Sequence, residues 1–216
     1  DGDTDTATLT ITITGTNDNA RITVSAEGPD STVYEHGLTS VADTSETDSD
    51  SFGVHASDGI STVVIGGQTF TLAQLQAIHT SGTPSAGINT GEGILVITDY
   101  VGSATDGTIS YSYTLNAAQT HDQPVHDTTL TDSVVVTVNG IGGASDTADL
   151  KIAIIDDTPT AVDDGPFTIT EDTVSVTGNV LTDGVDDSYG ADGPASVGSI
   201  VWTGTTASYG TLNYAG

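Results

Sequence analysis

The side chains able to do chemistry in this sequence are mostly hard oxygen donors, and they are grouped. Asp1, Asp3 and Asp5 alternate with Gly2 and Thr4, and Asn17-Asp18-Asn19 and then Glu35 follow them. A second set runs Asp156-Asp157, Asp163-Asp164 and Glu171-Asp172. A third set, Asp183, Asp186, Asp187 and Asp192, lies in a glycine-rich stretch. Asp-x-Asp in a loop sets successive carboxylates around one ion, Asn adds amide oxygens, and glycine permits the tight turn. Calcium takes six to eight such oxygens, whereas magnesium demands a stricter octahedron and keeps its waters. The sequence therefore predicts calcium sites. One draws on Asn17, Asp18, Asn19 and Glu35, the other on Asp156, Asp157, Asp163, Asp164 and Glu171. For any single Asp the competing account is a solvating loop residue. The stretch Ser40–Asp58, with Asp43, Glu46, Asp48 and Asp50, is read first in that way.

Other chemistries lack their parts. The five histidines, His36, His55, His79, His121 and His126, show no ligand-pair spacing, and there is no cysteine, so a zinc site is not expected. His121-Asp122 and His126-Asp127 suggest acid–base work only beside a placed nucleophile, and are read as loop residues. No serine sits in a nucleophile elbow and no phosphate-binding loop occurs. A glycosidase needs two carboxylates at a set separation, and acidic pairs are abundant enough here that the sequence alone leaves that reading open. Trp202 is read as core. The ladder Thr8, Thr10, Thr12 and Thr14 is ordinary strand composition on an exposed face. The expectation is a protein that is not an enzyme.

Charge bounds the partners. Asp and Glu total 30, Lys and Arg total 2, and the net charge is −28. Arg21 and Lys151 are the basic residues. Phosphate recognition needs Lys and Arg, so nucleic acid is excluded as a direct partner. Self-repulsion of this size opposes compaction. The chain is either disordered or neutralised by external cations. Hydrophobic residues at 35% in clean strand patterns favour the second. No apolar run approaches the ~20 residues of a membrane span.

The elements that must position these donors are strands. Leu9, Ile11 and Ile13 alternate with threonines over Ala7–Thr14, and Ile109, Tyr111, Tyr113 and Leu115 alternate with Ser and Thr over Thr108–Leu115. Val134, Val136 and Val138 do the same, as do Leu150, Ile152 and Ile154. This is the period of half-buried antiparallel strands. Thr71 and Gln74 have capping-box spacing, with Leu72, Leu75 and Ile78 on one face, which predicts a short helix near residues 71–79. The fold class expected is all-β, with tandem immunoglobulin-like or cadherin-like β-sandwich domains.

The chain also repeats itself. Asp5–Ile13 aligns with Asp146–Ile154, about 140 residues later, and each copy runs into a polar junction, a new strand and a glutamate, Glu35 or Glu171. Residues 1–19 are thus expected to be the closing strand and linker of a preceding repeat. Residues 20–157 form a complete repeat, and 158–216 begin a following, incomplete one. Adjacent repeats are the expected partners, with strand addition between copies as a further one.

Several of these segments resemble the long tandem repeats of RTX-type giant adhesins. They are Thr6–Asn19, Thr71–Ala77, Gly107–Leu115 and Ile155-Asp156-Asp157-Thr158-Pro159. Asn17-Asp18-Asn19 is similar to cadherin linkers, and Gly178-Asn179-Val180-Leu181 resembles the opening of a cadherin-like repeat. The resemblance implies a type I-secreted, extracellular, cell-surface fibre used in attachment and biofilm formation, with calcium stiffening the linkers. The family's Asp-Gly-Asp before the closing strand is present at Asp1–Asp3 but is replaced by Gly142-Gly143-Ala144-Ser145-Asp146 in the second copy, where a calcium site is not expected. The expected function is a structural extender. The competing one is a calcium-dependent module that binds a glycan or a neighbouring copy.

Overall fold

A computed structural model describes residues 2–13, 18–24, 28–121, 129–163, 168–179 and 181–193. The strands are β1 (Ala20–Thr23), β2 (Ser31–Tyr34), β3 (Thr47–Ala56), β4 (Ile60–Ile65), β5 (Gln68–Thr71), β6 (Ile88–Asn89), β7 (Gly93–Gly102), β8 (Asp106–Leu115), β9 (Thr129–Gly140) and β10 (Ser145–Ile155). A 3-10 turn, Glu35–Thr39, follows β2, and the helix α1 covers Leu72–Ser81. The protein is mostly β, as its period-two pattern predicts.

Two five-stranded sheets share one core. The first has the order β1-β3-β8-β7-β6 and the second β2-β10-β9-β4-β5. All pairings are antiparallel except β2 with β10, which run parallel with Tyr34 opposite Ile155. The alternating residues supply the core. Ile109, Tyr111, Tyr113 and Leu115 from one sheet face Val134, Val136, Val138, Leu150, Ile152 and Ile154 from the other. Burying each such side chain contributes roughly 1.5–3 kcal/mol, and this offsets the electrostatic cost of the fold's charge.

Buried tyrosines are seated by glycines. A Cβ at Gly93 would collide with the Tyr113 ring, and one at Gly107 with the Tyr100 ring. Over these gaps each hydroxyl finds a partner: Tyr113 donates to Asp132 Oδ2 at 2.7 Å and Tyr100 to the Ser103 carbonyl at 2.8 Å. Tyr111 Oη lies 2.8 Å from Ser31 Oγ, a bond that joins the two sheets. Burial pushes the Tyr111 and Tyr113 hydroxyls up, so both are neutral at ordinary pH.

The helix forms where its cap predicts. Thr71 Oγ1 accepts from Gln74 N–H and Gln74 Oε1 accepts from Thr71 N–H, while Gly82 closes the other end in the left-handed region (φ 64°). Leu75 and Ile78 are its buried residues. The sheet edges are blunt, since β1, β2 and β5 have four residues and β6 two.

Two expectations need correction. The stretch 40–58 is largely not a solvated loop: Thr47–Ala56 is β3, held between β1 and β8. Its apolar alternation is confined to Phe52, Val54 and Ala56, and its polar first half pairs with β8 all the same. Residues 7–13 form no strand. Leu9, Ile11 and Ile13 are 84%, 74% and 89% exposed. The described residues beyond 157 hold no strand, and one antiparallel bridge joins Thr160 to Ser188.

Ile152→Ala, at a fully buried site in β10, should lower stability by about 2–5 kcal/mol. Val135→Ala, on the outer face of β9, should change it by less than about 0.5 kcal/mol. Urea midpoints at unchanged m-value measure both.

Candidate functional site

The long strands define two ends. Asn19, Ala56, Asp106, Gly140 and Ser145 lie at the first, and Tyr34, Thr47, Leu115 and Ile155 at the second. β10 alone separates them by about 33 Å.

Glu35 and Asp156 meet at the second end because β2 runs parallel to β10. Tyr34 pairs with Ile155, so the next residue of each strand continues side by side. His121 arrives from the segment after β8. Its Nε2 lies 3.1 Å from Glu35 Oε1 and 4.0 Å from Asp156 Oδ1, and one donor atom from each residue falls within 4.8 Å of the others. The Glu35 and His121 side chains are 0% exposed and that of Asp156 6%. Glu35 Oε1 also accepts from Gln119 N–H at 2.6 Å, whereas Glu35 Oε2 is buried with no hydrogen-bond partner. Taking a carboxylate out of water this completely is costly unless charge and lone pairs are both matched.

The next carboxylates tie down the segment that follows. Asp157 Oδ2 accepts from Ala191 N–H at 2.7 Å, and a Cβ at Gly190 (φ 79°) would strike both Asp157 oxygens, so this approach needs glycine. Asp187 Oδ1 accepts from Val162 N–H at 2.7 Å. A cavity of 350 Å³ opens beside them, lined by Tyr34, His36, Asp156, Asp157, Thr160 and Ser188 among others. Glu46 Oε2, packed against Gly37 of the 3-10 turn, is a second buried carboxylate oxygen at this end without a partner.

The first end holds a different group. Asp58, in the turn between β3 and β4, accepts through Oδ2 from Gly142 N–H. A Cβ at Gly142 would collide with Oδ2 of both Asp18 and Asp58, so two carboxylates converge on one glycine. Asp58 Oδ1 is buried without a partner. Asn19 donates its N–H to Ser57 Oγ at 3.0 Å, and its Oδ1 lies 3.1 Å from His55 Nε2, whose ring also meets Asp106 at 2.6 Å.

The sequence-predicted ligands therefore divide differently from expectation. Glu35 does not join Asp18 and Asn19; it closes on Asp156 at the opposite end, through a strand register that only the fold supplies. His121 and Asp58, not expected as ligands, stand beside the predicted ones. The Gly142-Gly143 loop, where no site is expected, packs against Asp18 and Asp58 without carboxylates of its own. Asp3 and Asp5 are exposed, and Asp5 Oδ1 accepts from Thr6 N–H. Asp163, Glu171, Asp186 and Asp192 are exposed, and Asp183 accepts from Asn179 N–H. Asp1, Asn17 and Asp164 lie outside the described residues, as do His126 and Trp202.

In comparisons with known proteins, no family model, no curated protein and no solved structure matches this chain.

Histidines are the local partners of several surface carboxylates. The His79 and His55 hydrogen bonds hold the Asp99 and Asp106 carboxyls below the usual carboxylate range, and the Ser45 hydroxyl and N–H do the same for Asp43, with His36 adding to it. A depressed folded pKa adds stability above the unfolded value of 3.8, and that stability is lost as pH falls through the folded pKa. The double variant His55→Ala with His79→Ala should thus be less stable than wild type at pH ~5, and the gap should close at pH ~2. Denaturant midpoints across that range measure it; a gap independent of pH would refute the pairing.

Proposed function

We propose that this chain is a segment of an extracellular, cell-surface bacterial adhesin or fibre, supporting attachment and biofilm formation as a calcium-stiffened extender. In this reading residues 20–157 are an immunoglobulin-like or cadherin-like β-sandwich, and its work is mechanical. The observation that carries the proposal is the placement of unsatisfied charge. Glu35 Oε2 and Glu46 Oε2 lie buried at one end of the two sheets and Asp58 Oδ1 at the other. Those are the surfaces where a neighbouring domain in a string would dock. Two permanent cations against thirty carboxylates cannot serve them, so added divalent ions are the fitting partner.

At the first end the calcium ligands are Asp18, Asp58, Asn19 and the adjoining Asn17. At the second they are Asp157 and Asp187, with Asp163, Asp164 and Asp192 in the same segment. An ion bridging carboxylates from two consecutive domains fixes the angle between them, and this makes a flexible string stiff. The sequence repeat supplies further support: Leu9, Ile11 and Ile13 match Leu150, Ile152 and Ile154, which β10 buries completely. Residues 1–19 accordingly serve as the closing strand and linker of a preceding repeat, and 158–216 as the start of the next. The exposed segment 7–13, which has the alternation of a strand, is able to add to another copy.

Calorimetric titration of the metal-free chain should show saturable calcium binding. Asp18→Ala combined with Asp157→Ala should weaken it at least tenfold, and unchanged binding in that pair would sink the linker assignment. Chelation should also lower the melting temperature. Ions at a hundredfold excess over their dissociation constant stabilise by ~2.7 kcal/mol. Sodium chloride at matched ionic strength should not restore the loss; full restoration would mean simple screening.

A further inference from the structure

We infer that the buried cluster Glu35–His121–Asp156 is a transition-metal site of the zinc class, distinct from the all-oxygen calcium positions around it. The inference rests on the reading that the ends of the domain take cations, and it assigns one of those ions by the chemistry of its donors.

Three observations carry it. First, the donor atoms are assembled: His121 Nε2 lies 3.1 Å from Glu35 Oε1 and 4.0 Å from Asp156 Oδ1. Ligands about 2.0–2.1 Å from a tetrahedral ion stand roughly 3.3 Å apart, so the Glu35 separation is close to such an edge and Asp156 would close by about 0.7 Å on binding. Second, Glu35 is fully buried and its Oε2 has no hydrogen-bond partner, although Oε1 is served by Gln119 N–H and lies beside His121. Third, a dication matches the charge of these three donors: a neutral imidazole and two carboxylates around M2+ sum to zero. Burial of an unbalanced charge is what a protein interior tolerates least.

The nitrogen decides the class of ion. Calcium sites are built from carboxylate, amide, carbonyl and water oxygens. Imidazole suits zinc and its neighbours, and a mixed set of one imidazole and two carboxylates leaves a position open for a further ligand. The two classes thus occupy adjacent positions at one seam. The zinc-class ion is inside, where β2 and β10 end together, and calcium is on the outer carboxylates Asp157 and Asp187. An ion inside staples the beginning of the domain to its last residue.

The test uses Co2+ as a spectroscopic stand-in for Zn2+, added to the full chain stripped of metal, with calcium in saturating excess. About one equivalent per chain should bind with visible d–d absorption, and Zn2+ should abolish that band while calcium does not. His121→Ala should abolish the band, and Glu35→Gln should weaken binding by at least about tenfold. Cobalt-edge X-ray absorption on the wild-type chain, which needs no variant to fold, should show the outer-shell scattering of an imidazole. An all-oxygen shell, displacement of Co2+ by calcium, or an unchanged band in His121→Ala overturns the assignment. Loss of calcium binding to the outer carboxylates with the cobalt band intact would instead count against the calcium reading alone.

Discussion

Thirty carboxylates and two permanent cations cannot neutralise one another. Two like charges 4 Å apart repel by about 4 kcal/mol at the effective dielectric of a protein surface. A chain of this composition can fold only if its carboxylates are spread through water, paired with the few available histidines, or gathered around ions. The first two arrangements are present, and the third is the one proposed for the carboxylates that remain. Asp48, Asp50 and Asp149 stand on outer strand faces or edges. His36, His55 and His79 each hold an aspartate. The buried, partnerless oxygens of Glu35, Glu46 and Asp58 stand at the ends of the sheets.

That distribution separates two kinds of work within one fold. The middle of the two sheets is apolar and self-sufficient, closed by Val, Ile, Leu and Tyr on both inner faces. Its buried polar groups, Ser31 and Asp132, meet tyrosine hydroxyls. The ends are where local bonding runs short, and they are also where the polypeptide enters and leaves. An ion bound there would act on the chain's entry and exit without altering the core. Asp157 and Asp187 draw residues 160–162 and 188–191 together through backbone N–H groups.

How much of this the sequence discloses depends on range. Strict alternation made β8, β9 and β10 legible, and the Thr71–Gln74 cap made α1 legible, because both signals are local. β3 was not, since Thr47–Ser51 carries no apolar alternation and is held in place by β8. The residue types at the ends were legible and their grouping was not. Glu35 meets Asp156 through a parallel register between strands far apart in the chain, and His121 lies 86 residues from Glu35 in the chain. Asp58 carries no signal beyond being acidic, and its position opposite Gly142 follows from the turn that joins the two sheets.

The central claim is that the ends of the domain, rather than its faces, are the places that take cations. The most direct measurement is anomalous scattering from crystals of the chain grown with calcium. The account predicts ordered calcium against Asp18 and Asp58 at one end and against Asp157 and Asp187 at the other. Anomalous density confined to the strand faces, with both ends empty, would contradict it.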